Sequence, residues 1–205
     1  MRASAVVVVA GVLALAGSGL VDRGPSQDGA AALPTPAAPS GAGATNAPPV
    51  IGCAKRAEPS PDRLDGRRDI VRGDAALVTV ARDLPQLSRA SYRPRAGRLA
   101  AIKLPVGVRA GHAATLAVAA SDRRHAALIY RDATRNSRRI ADGDAAVTFR
   151  ACAADTPAFS GGTVGPITGW PGALIVSGPR CIRLRLSVDG ERRADIRLPL
   201  GRRCR

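Results

Sequence analysis

From Ile51 onward, apolar residues fall in short runs that mostly alternate with polar or small residues at a period of two. Gly, Pro, Asp and Asn break the runs apart. The pattern predicts strands over 76–82, 98–104, 114–120, 126–132, 145–151, 173–177, 181–188 and 192–200. No window sustains a long apolar stripe of period 3.6. The stretch 83–92 has room for a helical turn but contains Pro85. Many short strands at roughly 8–12 residue spacing indicate an all-β domain. An antiparallel β-sandwich of the immunoglobulin-like kind is expected, with a β-barrel as the alternative.

The last two runs fix a hairpin register. Ile182, Leu184, Leu186 and Val188 are apolar, as are Ala194, Ile196, Leu198 and Leu200. A two-residue turn at Asp189-Gly190 would set Leu184 against Asp195 and bring acids to the core. A three-residue loop instead sets Leu186 against Ala194, Leu184 against Ile196 and Ile182 against Leu198. Such a loop (or a five-residue one) places Gly190 at positive φ. Arg183, Arg185, Arg193 and Arg197 then face outward, because the aliphatics hold the inner face. Asp195 lies among them, within reach of Arg183 or Arg185.

Composition adds a compartment. The chain of 205 residues opens with Arg2 and an apolar run to Val21, with Ala14-Leu15-Ala16 as a small-x-small site. Residues 1–21 are read as a signal peptide, the alternative being an uncleaved anchor, since the run is about the ~20 residues that span a bilayer. Residues 22–50 are rich in Pro, Ala and Gly and carry no periodicity, as expected of a disordered linker. The folded domain is 51–205, placed in a secreted or extracytoplasmic setting. Cys53, Cys152, Cys181 and Cys204 all follow the linker, and an even count in an exported chain predicts two disulfides. Strand parity favours Cys152–Cys181, leaving Cys53–Cys204 to staple the domain's beginning to its end. No Cys-x-x-Cys pair exists, so no metal site or cofactor is expected.

The net charge of +15 comes from 31 basic residues, only two of them lysine, against 16 acids. A GC-rich genome explains Arg in place of Lys but not the scarcity of acids. Nucleic acid is disfavoured as a partner, because aromatic stacking residues are nearly absent and the chain reads as exported. Anionic cell-wall polymers or a membrane surface are the expected partners, contacted through Arg183, Arg185, Arg193 and Arg197. The composition sets no oligomeric state.

Candidate chemistry is sparse. His112 and His125 sit in turns without a Gly-x-Ser-x-Gly elbow nearby. Asp142-Gly143-Asp144 lacks the alternating ligands of a calcium loop. Arg72-Gly73-Asp74 spells an adhesion tripeptide that chance explains in so arginine-rich a chain. Trp170 is expected to plug one end of the sandwich rather than to stack on sugar. No catalytic residue is assigned, and a binding or structural module is expected. The alternative is an envelope hydrolase with a cryptic Ser/His/Asp site.

Phe149, Cys152, Phe159, Ser160, Gly161, Gly178, Pro179, Arg180, Cys181 and Cys204 carry a resemblance. They stand in "VTFRAC", "FSGG", "GPRC" and "GRRC", and together they resemble a group of small exported β-rich proteins of high-GC Gram-positive (actinobacterial) bacteria. The likeness covers the last third of the chain. It implies a secreted, non-enzymatic sandwich and carries over no active site.

Overall fold

A computed structural model describes residues 47–204 except 54–56, 61, 88–98, 137–138 and 192–193. The signal-or-anchor segment and nearly all of the linker lie outside the described residues, as does Arg193. Thirteen strands are described. They are β1 (Val50–Ile51), β2 (Glu58–Pro59), β3 (Ile70–Arg72), β4 (Ala75–Leu77), β5 (Ala100–Lys103), β6 (Val106–Arg109), β7 (Ala113–Val118), β8 (Ala126–Ile129), β9 (Ala146–Arg150), β10 (Ile167–Trp170), β11 (Ala173–Val176), β12 (Arg180–Val188) and β13 (Ala194–Leu200). One helix, α1 (Val80–Leu87), interrupts them.

The strands form three sheets, ordered β1-β9-β7-β12-β13, β2-β10-β6-β4-β3 and β5-β11-β8. Each described sheet has two edges, so none closes into a barrel. The pairing is antiparallel except at one place, where β1 runs parallel to β9 with Ile51 opposite Phe149. A purely antiparallel layout is therefore corrected at the first strand. Its Val50 lies in the segment that composition reads as linker.

One core draws on all three sheets, with Leu116, Leu184 and Leu198 from the first, Val106 and Trp170 from the second, and Leu128 and Leu174 from the third. Phe149 is fully buried in it, 4.8 Å from the Tyr130 ring and 5.4 Å from Trp170. Trp170 is thus a core residue within β10 rather than a plug in a loop. The outer polar row of the first sheet includes Thr115 and Thr148, opposite one another and joined hydroxyl to hydroxyl at 2.8 Å.

The hairpin β12–β13 has the register its alternation dictates: Leu186 opposes Ala194, Leu184 opposes Ile196 and Ile182 opposes Leu198. Gly190 turns it with φ 78°, preceded by Asp189 at φ 47°. Asp tolerates the left-handed region better than most residues because its short side chain bonds locally. Here that side chain accepts from the Ala113 amide at 2.8 Å.

The segment 76–82 departs from its expected strand. β4 stops at Leu77, Thr79 adopts φ 61°, and α1 begins at Val80. The buried carboxylate of Asp69 holds this reversal, accepting from the Thr79 amide at 2.7 Å and the Asp65 amide at 3.0 Å. Pro85 is accommodated inside the helix.

The disulfides are Cys53–Cys152 and Cys181–Cys204, and no cysteine is free. This corrects the parity-based expectation of Cys152–Cys181 and Cys53–Cys204. The parallel pairing of β1 with β9 carries Cys53 alongside Cys152. At the other bridge, Cys181 opposes Pro199, and Gly201 at φ 67° reverses the chain so that Cys204 returns to within 5.1 Å of Cys181, Cα to Cα. Two disulfides mark an oxidising, extracytoplasmic environment.

Candidate functional site: an arginine corner beside the C-terminal hairpin

Of the four arginines that alternation turns outward, three are described. Arg183 opposes Arg197 and Arg185 opposes Asp195 on the outer side of β12–β13. Arg183 and Arg197 are exposed and Arg185 is half-buried. Arg185 pairs with Asp195 at 3.3 Å, as their register implies. Arg183 finds a carboxylate that local sequence could not supply. Its guanidinium lies 3.7 Å from Asp122, whose Oδ2 also accepts the Arg183 amide at 2.9 Å. Its Nη2 donates to Ser121 at 2.6 Å. Ser121 and Asp122 belong to a single 3-10 turn (Ala120–Asp122), about sixty residues away in sequence. Such half-exposed pairs contribute about 0–1 kcal/mol each. The hairpin arginines are therefore better compensated than their own sequence neighbours indicate.

The cations that lack this compensation lie beside them. Arg123 and Arg124 follow the 3-10 turn and lead into β8, and Arg180 opens β12. None of the three makes an ion pair among the described residues. Arg124 donates its Nε proton to His125 Nε2 at 2.9 Å. A guanidinium has no acceptor to offer, so Nε2 must be the bare nitrogen and Nδ1 must carry the proton. Nδ1 therefore donates to Ser177 Oγ, 3.3 Å away. Burial, with the Arg180 and Arg124 charges added, holds His125 below its ordinary pKa of 6.5. Arg180 Nη2 donates to the Ser177 carbonyl at 3.3 Å, while its Nε is buried without a partner. Ser177 thus joins the imidazole to Arg180.

The His125–Ser177 contact is the one that a serine hydrolase would exploit. Its proton runs the wrong way, from imidazole to hydroxyl, so His125 in this arrangement is no base toward Ser177. At the start of β8 opens a pocket of about 360 Å³. Arg123 and Arg124 stand at its wall, and Ala126, Ala127, Ile140, Ala141 and Ala145 give it an apolar lining.

His112 belongs to a different cluster. Its Nδ1 donates to Asp189 at 2.6 Å, and its Nε2 lies 3.6 Å from Asp74. Asp74 also pairs with Arg109 at 2.8 Å. The imidazole joins the β3–β4 turn of one sheet to the β12–β13 turn of another. The hydrogen bond to Asp189, reinforced by the Asp74 charge, raises His112 above its ordinary 6.5. The same network occupies the aspartate of Arg72-Gly73-Asp74, which is therefore not presented as a free recognition group.

Sequence reading missed Arg123, Arg124 and Arg180, since each looks like one more arginine in a turn or at a strand end. Only the long-range pairing of β12 with β7, which draws the 119–125 segment alongside β12, gathers them. Compared with known proteins, the chain matches no family model, no curated protein and no solved structure.

Proposed function

We propose that this is an extracytoplasmic binding module, a disulfide-stapled β-sandwich of the immunoglobulin-like kind, which associates with anionic polymers of the cell envelope. The sandwich reading rests on two five-stranded, mainly antiparallel sheets that contribute to one core. One observation carries the binding reading. Arg123, Arg124, Arg180, Arg183 and Arg185 are five cations gathered about the 119–125 segment and β12, against Asp122 and Asp195 among the described residues. A surface of one sign attracts a polyanion through summed Coulomb terms, which salt screens over about 8–10 Å near physiological strength.

The test is retention of the full chain on purified cell wall as salt is raised. Retention falls with salt, and replacing Arg183, Arg185, Arg193 and Arg197 by Ser weakens it while the melting temperature holds. Retention that is indifferent to both salt and the substitutions sinks the reading. The second reading, an envelope hydrolase, rests on His125 and Ser177. It requires Ser177 to react with an organophosphorus serine probe, and the proton arrangement opposes this.

A further inference from the structure

A cation cluster without counter-ions stores repulsion that a bound anion relieves, and the arrangement around His125 says which anion. Arg123 and Arg124 use their Nε groups on a backbone carbonyl (Val118, 3.4 Å) and on an imidazole. Their terminal nitrogens carry no hydrogen bond among the described residues. Arg180 adds a buried Nε without an acceptor. Asp122, the carboxylate whose charge acts on His125, is already taken by the Arg183 amide and guanidinium. Arg124 and Arg180 therefore flank the imidazole and the serine hydroxyl, and Arg123 stands with Arg124 in the wall of the adjoining pocket. Planar, forked donors match tetrahedral oxyanions bidentately, and a hydroxyl adapts as donor or acceptor. The adjoining alanine-lined pocket has no carboxylate in its wall.

We propose that Arg123, Arg124 and Arg180, with Ser177, form a phosphate-binding site, and that the pocket beside them takes the uncharged body of a phosphate ester. The proposal rests on the polyanion reading above and names the group recognised. The same phosphate chemistry is offered by the free ion, by a phosphodiester polymer and by a lipid headgroup.

The experiment is an NMR titration of the full chain at constant ionic strength, following the arginine Nε–H and histidine ring signals. Three probes are used: inorganic phosphate, poly(glycerol phosphate), and vesicles of phosphatidylglycerol in phosphatidylcholine. Inorganic phosphate should shift Arg123, Arg124 and His125, but not His112. A dianion within a few ångströms should also raise the His125 titration midpoint by about one unit, against the opposing charges of Arg124 and Arg180 and with that of Asp122. Tighter binding of the polymer, or of the vesicles, than of the free ion identifies the carrier.

Arg123→Ser with Arg124→Ser should lose at least tenfold in affinity with the melting temperature unchanged, because both side chains are exposed. The corresponding Lys pair should lose several-fold, since charge survives and the fork does not. The site is overturned if phosphate leaves the His125 midpoint in place, or if the serine pair binds like the parent. Wall retention that survives the serine pair but fails in the hairpin variant overturns the site and leaves the polymer reading standing. Phosphate binding without wall retention does the reverse.

Discussion

Removing the two disulfides one at a time should cost different amounts, and the difference can be worked from where they sit. Cys53–Cys152 spans 99 residues and Cys181–Cys204 spans 23. Tying a loop of n residues lowers the entropy of the unfolded chain by about 2.1 + 1.5R ln n cal/mol/K, which is about 4.7 kcal/mol for the longer loop and about 3.4 for the shorter at 25 °C. Cys53→Ala with Cys152→Ala should therefore destabilise by about 1.3 kcal/mol more than Cys181→Ala with Cys204→Ala. Local structure acts in the same direction. Cys152 is fully buried against Ala57 and Val164, so truncating it also loses packing. The short β1 is held to β9 by a two-residue ladder and by the Thr148 amide donating to Pro49 at 2.9 Å. Without the bridge, that amide should be among the first to lose hydrogen-exchange protection. Urea unfolding of both double variants measures the difference, and non-reducing peptide mapping checks the pairings. An equal or larger loss from the 23-residue bridge would refute the reasoning, because neither loop length nor local packing could then be setting the cost.

Four further outcomes are expected. His112→Gln should flatten the pH dependence of stability: the His112 contribution is complete below its unfolded value near 6.5 and is lost as pH rises through the raised folded value. The lowered pKa of Asp189, caused first by His112 and then by the Ala113 amide, adds stability above its unfolded value near 3.8 that is lost as pH falls through the folded one. The parent's melting-temperature advantage over His112→Gln should therefore be largest between these two values, and an advantage largest at alkaline pH would refute the link. Gly172→Ala would set a methyl group into the buried Tyr130 ring, whose hydroxyl donates to the Leu104 carbonyl, and should cost about 1–3 kcal/mol in urea unfolding. Asp69→Ala strands the Thr79 and Asp65 amides and should cost about 1.5–3 kcal/mol, with α1 losing exchange protection first. Asp144→Ala removes a two-pronged partner of Arg131, at 2.5 and 2.9 Å, and should cost about 1.5–3 kcal/mol, since Asp144 is itself buried.

What the sequence reveals here is what period-two alternation can encode. It places β7, β9, β11, β12 and β13, and with the turn residues it gives the β12–β13 register residue by residue. It hides β6 and β10, because each holds a glycine where alternation needs a side chain. Gly107 opposes Gly169 across the ladder, and a Cβ at either would come within 3.3 Å of atoms of the 58–60 segment, Val78 or Ile167. The glycines are needed for that close approach, and the approach is a tertiary fact. The helix at 80–87 escapes for a similar reason. "ALVTVAR" reads as a strand until the Asp69 carboxylate, ten residues earlier, takes the Thr79 amide and forces the reversal. The disulfides escape because parity within the last strands says nothing about a parallel strand arriving from the linker.

The arginines show the same limit at the level of function. Alternation explains why Arg183, Arg185 and Arg197 face water, but solvent exposure alone does not distinguish a binding surface from a wet face. The distinction lies in charge pairing, which depends on carboxylates delivered from elsewhere. Asp195 comes with the hairpin and is legible as the partner of Arg185. Asp122 arrives through the pairing of β12 with β7 and satisfies Arg183, and among the described residues Arg123, Arg124 and Arg180 pair with no carboxylate. Burial, and after it the Arg180 and Arg124 charges, lower the pKa of the His125 ring between them. Mutating Asp122 should expose the connection. In Asp122→Asn, Arg183 loses its anionic partner and joins the uncompensated set. Phosphate affinity at the corner should rise by about two- to fivefold at low salt, which corresponds to the roughly 0.5–1 kcal/mol of an exposed charge interaction, and the gain should shrink as salt is added. Unchanged affinity in that variant would mean that the arginines do not act on a shared ligand, and the cluster would then be no more than a crowded stretch of solvated surface.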